Sequence, residues 1–388
     1  MTAPSIYLVA GEPSGDLLGA RLIAALKAFG GERTAFAGVG GEAMRAEGLA
    51  SLFPQADLAV MGLAEVLPRL PRILGRLRQT LDDIRERRPA AVVTIDSWGF
   101  TGRLLARLAK TCPAIPRVHF VAPMVWAWRP GRARHLAGRV DLLLCLFPDE
   151  PPLFERVGVR AVHVGHPVLE SGADRGDGEA FRRRHGIPAA ATLVCVLPGS
   201  RHSEVSRLLP PFAATLARLA PRRPDLRAVV PTVETVADEV AAAVRSWPVP
   251  ATVVSGQRER YDAFAAARAA LAASGTVTLE LAMAGLPAVV GYRVNPATAA
   301  LVRRLLRVPH AALPNLLAGR AVVPELLQDD CRPELLAPAL ERLLDDDAAR
   351  AEQRKGYDEA LDRLGRGGES PSRRAATAIL KLMEERNR

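Results

Sequence analysis

Short apolar runs alternate with stretches of helical period along nearly the whole chain, and that alternation confines it to parallel sheets covered by helices. In the first half, Ile6–Gly11, Ala91–Asp96, Arg117–Ala122, Val140–Phe147 and Ala161–Val164 read as strands. Helical patterns such as Leu17–Lys27 and Gly102–Lys110 follow them. A second series comprises Thr192–Leu197, Leu226–Val230, Ala251–Val254, Ala269–Ala273 and Ala288–Tyr292. Between the two lies Glu170 to Gly178, rich in Gly, Asp and Ser and nearly devoid of apolar residues, as a linker would be. From Pro333 the pattern is helical, broken at Gly365-Arg366-Gly367-Gly368 and closing with Ser372–Glu385. For 388 residues, at roughly 150 per domain, the expectation is an α/β protein of two doubly wound domains facing across a cleft, with C-terminal helices. The expected divisions are 1–170, 188–345 and 346–388, the last packing back on the N-terminal domain.

Several function classes drop out on composition. Cys112, Cys145, Cys195 and Cys331 are far apart and form no CxxC, so they read as small buried hydrophobes in a reducing compartment. Only Lys27, Lys110, Lys355 and Lys381 are lysines, no GK dipeptide occurs, and a P-loop is therefore excluded. IYLVA is too short for a signal peptide. The least charged long stretch, Ala269 to Gly291, is broken by Gly275, Gly285 and Pro287 and reads as strand–turn–helix–strand rather than a membrane span. The chain reads as cytoplasmic. Its net charge of +10 rests on arginine, whose planar fork suits phosphate and carboxylate, although a GC-rich genome enriches Ala and Arg too. The arginines are scattered and carry no aromatic stacking motif, so nucleic acid is not an expected partner.

Ligands of doubly wound sheets sit outside the carboxyl ends of the strands, which singles out four turns. After Ile6–Gly11 comes Glu12-Pro13-Ser14-Gly15-Asp16, where Glu12 and Ser14 are candidate cleft residues and Ser14 or Asp16 equally suits a helix cap. Asp96 ends its strand where a general base for an alcohol would stand, and it also suits an N-cap. Leu197-Pro198-Gly199-Ser200-Arg201 runs from strand to helix. Gly199 permits close approach, the free amides of Gly199 and Ser200 suit phosphate oxygens, and Arg201 adds a bidentate clamp. In Ser274-Gly275-Thr276-Val277-Thr278-Leu279-Glu280 a buried strand ends at a turn whose hydroxyls and amides suit a diphosphate. Glu280, a charge inside an apolar stretch, suits the hydroxyls of a ribose. His163 and His166, three apart near a strand end, make poor metal geometry, and no metal site is expected.

The blocks AGEPSGDLLGARL, GVGGEAMRAEG, MGLAEVL, VAPMVWAWRPGR, VGHPVLE, LPGSRHSEV, SGTVTLELAMAGLPAVVGYR and LPNLLAGRAVVPELLQDDC, in order from residue 10 to residue 331, resemble the lipid-A-disaccharide synthase family. The resemblance implies a GT-B glycosyltransferase of two Rossmann-like domains, acceptor and lipid bound by the first and UDP-sugar by the second. The reaction it implies joins UDP-2,3-diacylglucosamine to 2,3-diacylglucosamine 1-phosphate, giving a β-1′,6-linked disaccharide 1-phosphate and UDP. An α-linked donor and a β-linked product imply one inverting displacement, with Asp96 as base and no cofactor or metal. Asn315 joins the expected donor pocket through its match to the LPNLL block.

The family more usually shows D-S/A-P-D-F-N where this chain reads Asp96-Ser97-Trp98-Gly99-Phe100-Thr101, so a second aspartate is lost at Gly99. Met124 likewise replaces a more usual Ser. Other readings within the fold are a UDP-N-acetylglucosamine 2-epimerase or the muramyl-lipid glycosyltransferase, which leave VWAWRPGR and LPNLLAGR unexplained; a non-catalytic basic module is the reading outside it. Because the implied substrates are acylated, the apolar stripe of Met61–Leu81 is expected to meet acyl chains and an anionic membrane surface through Leu70, Ile73, Leu74 and Leu77. Arg69, Arg72, Arg76 and Arg78 flank it, with Arg129, Arg132 and Arg134 further along the chain. Pro68 and Pro71 are expected to confine the regular helix to the part after about residue 69. The protein would then be peripheral on the inner face of the cytoplasmic membrane, and a homodimer is compatible with the sequence.

Overall fold

The structure is a computed structural model that describes residues 5–30, 34–58, 63–123, 130–295 and 309–387. Met124 and Arg129 lie outside them, as do the side chains of Arg69 and Arg132. The chain forms two compact units: Met1–Pro167 with Gly368–Arg388, and Val168–Gly367.

The first unit holds a parallel sheet of β1 (Ser5–Ala10), β2 (Ala35–Val39), β3 (Ala50–Ser51), β4 (Ala91–Ile95), β5 (Arg117–Phe120), β6 (Leu142–Cys145) and β7 (Ala161–His163), ordered β3-β2-β1-β4-β5-β6-β7. Residues 6–10 and 91–95 are fully buried, as the continuous apolar runs require of strands covered on both faces. The second unit repeats the plan with β8 (Thr192–Leu197), β9 (Leu226–Thr232), β10 (Ala251–Ser255), β11 (Ala269–Ala272), β12 (Ala288–Tyr292) and β13 (Glu325–Leu327), ordered β10-β9-β8-β11-β12-β13. The order reverses between β1 and β4 in one sheet and between β8 and β11 in the other. There the following loops part and a crevice opens.

Two expectations need correction. Residues 346–388 are divided between the units. Helix Asp347–Arg363 stays in the second because Gln353 clamps β12, its Oε1 accepting from the Ala288 amide at 2.6 Å and its Nε2 donating to the Ala288 carbonyl at 3.0 Å. Only helix Pro371–Asn387 joins the first unit, burying Ala375, Ala376 and Ile379 against helix Pro13–Gly30. Second, the helix expected after residue 69 begins at Leu63 and runs to Arg87. A proline's φ is already helical, and Pro68 and Pro71 each remove only one intrahelical bond.

Candidate functional site

Each unit presents its chemistry at its own switch point. In the second, a cavity of about 330 Å³ is lined by Gly199, Ser200, Arg201, Ser274, Gly275, Thr276 and Glu280, all expected from sequence, and by Glu204, Thr232 and Arg260, which were not. Gly199 has φ +109°, and a Cβ there would stand 2.6 Å from both Cβ and Oε2 of Glu204. Glycine is what lets the loop fold over that carboxylate. Glu204, third residue of helix His202–Leu219, turns back on the loop in the manner of a capping box. Its Oε2 accepts from the Ser200 amide at 3.1 Å, and its Oε1 accepts from Arg201 Nη1 at 3.1 Å and from the Tyr292 hydroxyl at 3.2 Å.

On the facing turn, Ser274 donates its hydroxyl to the Ala311 carbonyl at 2.9 Å, and Thr276 stands exposed as N-cap of helix Val277–Met283. The Glu280 Oε1 accepts from Arg260 Nη2 at 3.1 Å and from the Tyr261 hydroxyl at 3.3 Å. Burial pushes the Glu280 carboxyl above its ordinary pKa, and the Arg260 charge opposes that rise. Two polar atoms on this wall are buried without a protein partner: Thr232 Oγ1 and Arg260 Nε. Unsatisfied buried donors are uncommon in folded proteins, and both of these belong to residues that line the cavity. Sequence gave no signal for them, since Thr232 ends β9 and Arg260 stands on helix Gln257–Ala266, remote in the chain from the turns they complete.

Asn315 does not line this cavity. It is fully buried, its Nδ2 donates to the Val323 carbonyl (2.9 Å) and Glu325 Oε1 (2.8 Å), and its Oδ1 accepts from the Val322 and Val323 amides at 2.7 Å each. All its polar capacity is spent internally. Glu325 in turn accepts from the Ala311 and Ala312 amides, so Asn315 reaches the pocket only through the backbone that Ser274 grips.

In the first unit, Asp96 and Ser97 are consecutive residues with φ of +49° and +46°, and Val121, just past β5, has φ +79°. Left-handed backbone is costly for non-glycine residues, most of all for a β-branched one, and such strain concentrates where function demands a geometry. Asp96 is not the helix cap: that position is taken by Ser97, without a side-chain bond, ahead of helix Trp98–Thr111. Thr101 fixes the bend by donating to the Asp96 carbonyl at 2.7 Å. Burial raises the Asp96 carboxyl above the ordinary aspartate pKa, partly offset by the Ser97 amide. Alongside, Ser97 donates to Glu12 Oε1 at 3.4 Å, and a Cβ on Gly11 would lie 2.7 Å from the Ser97 hydroxyl, so β1 and β4 discharge their loops in contact. Ser14 is exposed on the first turn of the helix that follows. Asp16 caps a different helix, Glu42–Ala46, accepting from the amides of Gly41 (2.7 Å), Ala43 (2.9 Å) and Met44 (3.0 Å).

The apolar stripe of helix Leu63–Arg87 divides along its length. Leu77, expected on the outer face, is fully buried with Leu81 and Ile84 under the first sheet, because the helix lies against Tyr7, Val92 and Leu104 there. Ile73 and Leu74 are half-buried and Leu70 is 36% exposed. Arg76 bonds Asp57 through Nε at 2.9 Å and Arg72 pairs with the same carboxylate at 3.8 Å, while among the described side chains of the stripe Arg72 and Arg78 are exposed. No described helix is long and apolar enough to cross a membrane, and among the described residues no group of three or more His, Cys, Asp or Glu could hold a metal ion.

Two doubly wound sheets, one with a polar crevice and one with a half-buried carboxylate at its switch point, define the two-domain fold of the GT-B glycosyltransferases and their sugar-nucleotide relatives. Solved structures agree on the fold. The Staphylococcus aureus MnaA–UDP co-structure aligns at TM-score 0.66 over 98% of this chain and 97% of that one, at 13% identity. Acinetobacter baumannii MurG aligns at 0.55 over 98% and 99%, at 15% identity. The chain belongs to the lipid-A-disaccharide synthase family: the family model described as lipid-A-disaccharide synthetase matches residues 6–380. The lipid-A-disaccharide synthase of Paramagnetospirillum magneticum is 60% identical over 98% of both chains, and that of Rhodospirillum centenum 57% identical over 98% of this chain and 95% of its own. The chain is accordingly a glycosyltransferase, and the epimerase, muramyl-lipid and non-catalytic readings fall away.

Proposed function

We propose that the protein transfers 2,3-diacylglucosamine from its UDP donor to the 6-hydroxyl of 2,3-diacylglucosamine 1-phosphate, forming the β-1′,6-linked disaccharide and releasing UDP. Full-length relationship to lipid-A-disaccharide synthases at 60% identity carries the reading. The second unit's cavity is chemically suited to the nucleotide. The Gly199–Ser200 amides and Arg201 would meet the diphosphate, the Ser274–Thr276 turn would close over it, and Glu280, positioned by Arg260 and Tyr261, would take the ribose hydroxyls. Stabilising the leaving diphosphate this way requires no reorganisation at the moment of transfer.

Asp96 would remove the acceptor proton. Burial raises its pKa, and the ionised form is thereby a stronger base than an exposed aspartate. With Gly99 in place of the family's second aspartate, Glu12, bonded to Ser97, is the carboxylate on the loop after the adjoining strand β1, and Ser14 is its neighbour on the acceptor side. Leu70, Ile73 and Leu74, flanked by Arg72 and Arg78, would meet acyl chains and anionic headgroups, an attachment that weakens with salt. Incubation with both acylated glucosamine substrates, scored by mass spectrometry, tests the whole reading: equimolar UDP and disaccharide 1-phosphate are expected, and UDP without disaccharide refutes it.

A further inference from the structure

The same two donors that a diphosphate needs at the β8 loop are held by a side chain of the protein. Glu204 takes the Ser200 amide and the Arg201 guanidinium, each at 3.1 Å, and is steadied from behind by the Tyr292 hydroxyl at 3.2 Å. The carboxylate is 13% exposed whereas the Arg201 side chain is 58% exposed, so the anion is fixed and the cation is free to swing away. Gly199 is shaped to admit this arrangement, its missing Cβ leaving room for Glu204. An ordinary helix cap would need the Ser200 amide alone; the second carboxylate oxygen also occupies Arg201, the cation that a negative ligand at this cavity wall would need.

We propose that Glu204 is a built-in competitor of the diphosphate, occupying its donors and reclaiming them when the nucleotide leaves. The inference rests on the nucleotide reading above. Its consequence for the reaction is release: UDP, the more highly charged product, departs into competition with a carboxylate already tethered at the site. Affinity for the diphosphate is thereby held below what Arg201 and the loop amides could supply.

Titration calorimetry with UDP and with uridine decides it, using wild type, Glu204→Gln and Tyr292→Phe. Glutamine keeps an acceptor for the Ser200 amide and removes the charge, so Glu204→Gln should bind UDP tighter by about tenfold or more and leave uridine unchanged. Tyr292→Phe, which loosens the carboxylate without touching the loop, should shift UDP binding in the same direction by a smaller factor. UDP bound equally or more weakly by Glu204→Gln overturns the proposal and makes Glu204 a structural cap. If that variant does not fold, Tyr292→Phe without tighter UDP binding overturns it alone. An Arg201→Ala control separates the two levels: wild-type UDP binding that ignores Arg201 removes the nucleotide reading and this inference with it, whereas Arg201-dependent binding with no gain in Glu204→Gln removes only the inference.

Discussion

Replacing Asp96 by asparagine separates catalysis from folding at one residue. Asparagine is the substitution of choice because, with aspartate, it tolerates left-handed backbone best, so the +49° φ survives; alanine would add strain of about 1–2 kcal/mol there. A positioned general base typically contributes ~10²–10⁴-fold, or about 2.7–5.4 kcal/mol at 1.36 kcal/mol per decade, and Asp96→Asn should lower kcat by that factor while UDP affinity holds. Stability moves the other way. The folded-state pKa lies above the ordinary 3.8, because burial penalises the ionised form. The folded protein therefore binds this proton more tightly than the unfolded chain, and stability falls as pH rises from 3.8 through the folded value. At neutral pH the wild type carries that penalty and Asp96→Asn does not, so the variant should melt at the same temperature or higher. The acid limb of kcat/KM should also sit above the ordinary aspartate range in wild type and vanish in the variant. Steady-state kinetics against pH with thermal melts gives both readouts. Activity within about threefold of wild type, or a lowered melting temperature accompanying the loss, would refute the reasoning.

Arg201→Ala and Glu280→Ala should each weaken UDP binding by roughly 10- to 150-fold, the equivalent of a charged hydrogen bond; calorimetry showing no change in either places the nucleotide elsewhere. Thr232→Val removes a buried hydroxyl that has no protein partner, so it should leave stability unchanged or slightly improved and yet weaken UDP binding; a loss of stability without a loss of affinity would make Thr232 structural. Leu77→Ala should destabilise by about 2–5 kcal/mol and Leu70→Ser by no more than about 0.5 kcal/mol, while Leu70→Ser combined with Ile73→Ser and Leu74→Ser reduces sedimentation with anionic vesicles. Equal sedimentation of that folded triple variant would move the membrane contact to another face.

The parts of the site legible in sequence are those written in consecutive residues. Thr192–Leu197 followed by Pro-Gly-Ser-Arg, and Ala269–Ala273 followed by Ser-Gly-Thr, each carry a buried strand and its turn together, so the pocket's two edges could be read without knowing they meet. The short strand β2 and the edge strands β3 and β13 could not, because a few residues half-covered at or next to a sheet margin leave no periodic signal. Asn315 was read as a ligand contact from its motif, since residue type does not say whether an amide's partners are a nucleotide or the next turn of its own chain.

What the sequence by itself determined is the class of fold, the family and the strand ends where chemistry gathers, because hydrophobic period and turn residues act over short stretches of backbone. Tertiary structure alone decided which residues share a wall. Thr232 shares a wall with Gly199 only because β9 lies beside β8, Arg260 meets Glu280 only because helix Gln257–Ala266 packs back on β8 and β9, and Leu77 is core while Leu70 is surface only because the sheet's cover stops partway along one helix. Those outcomes depend on contacts between residues far apart in the chain, and no local pattern encodes where a neighbouring element ends.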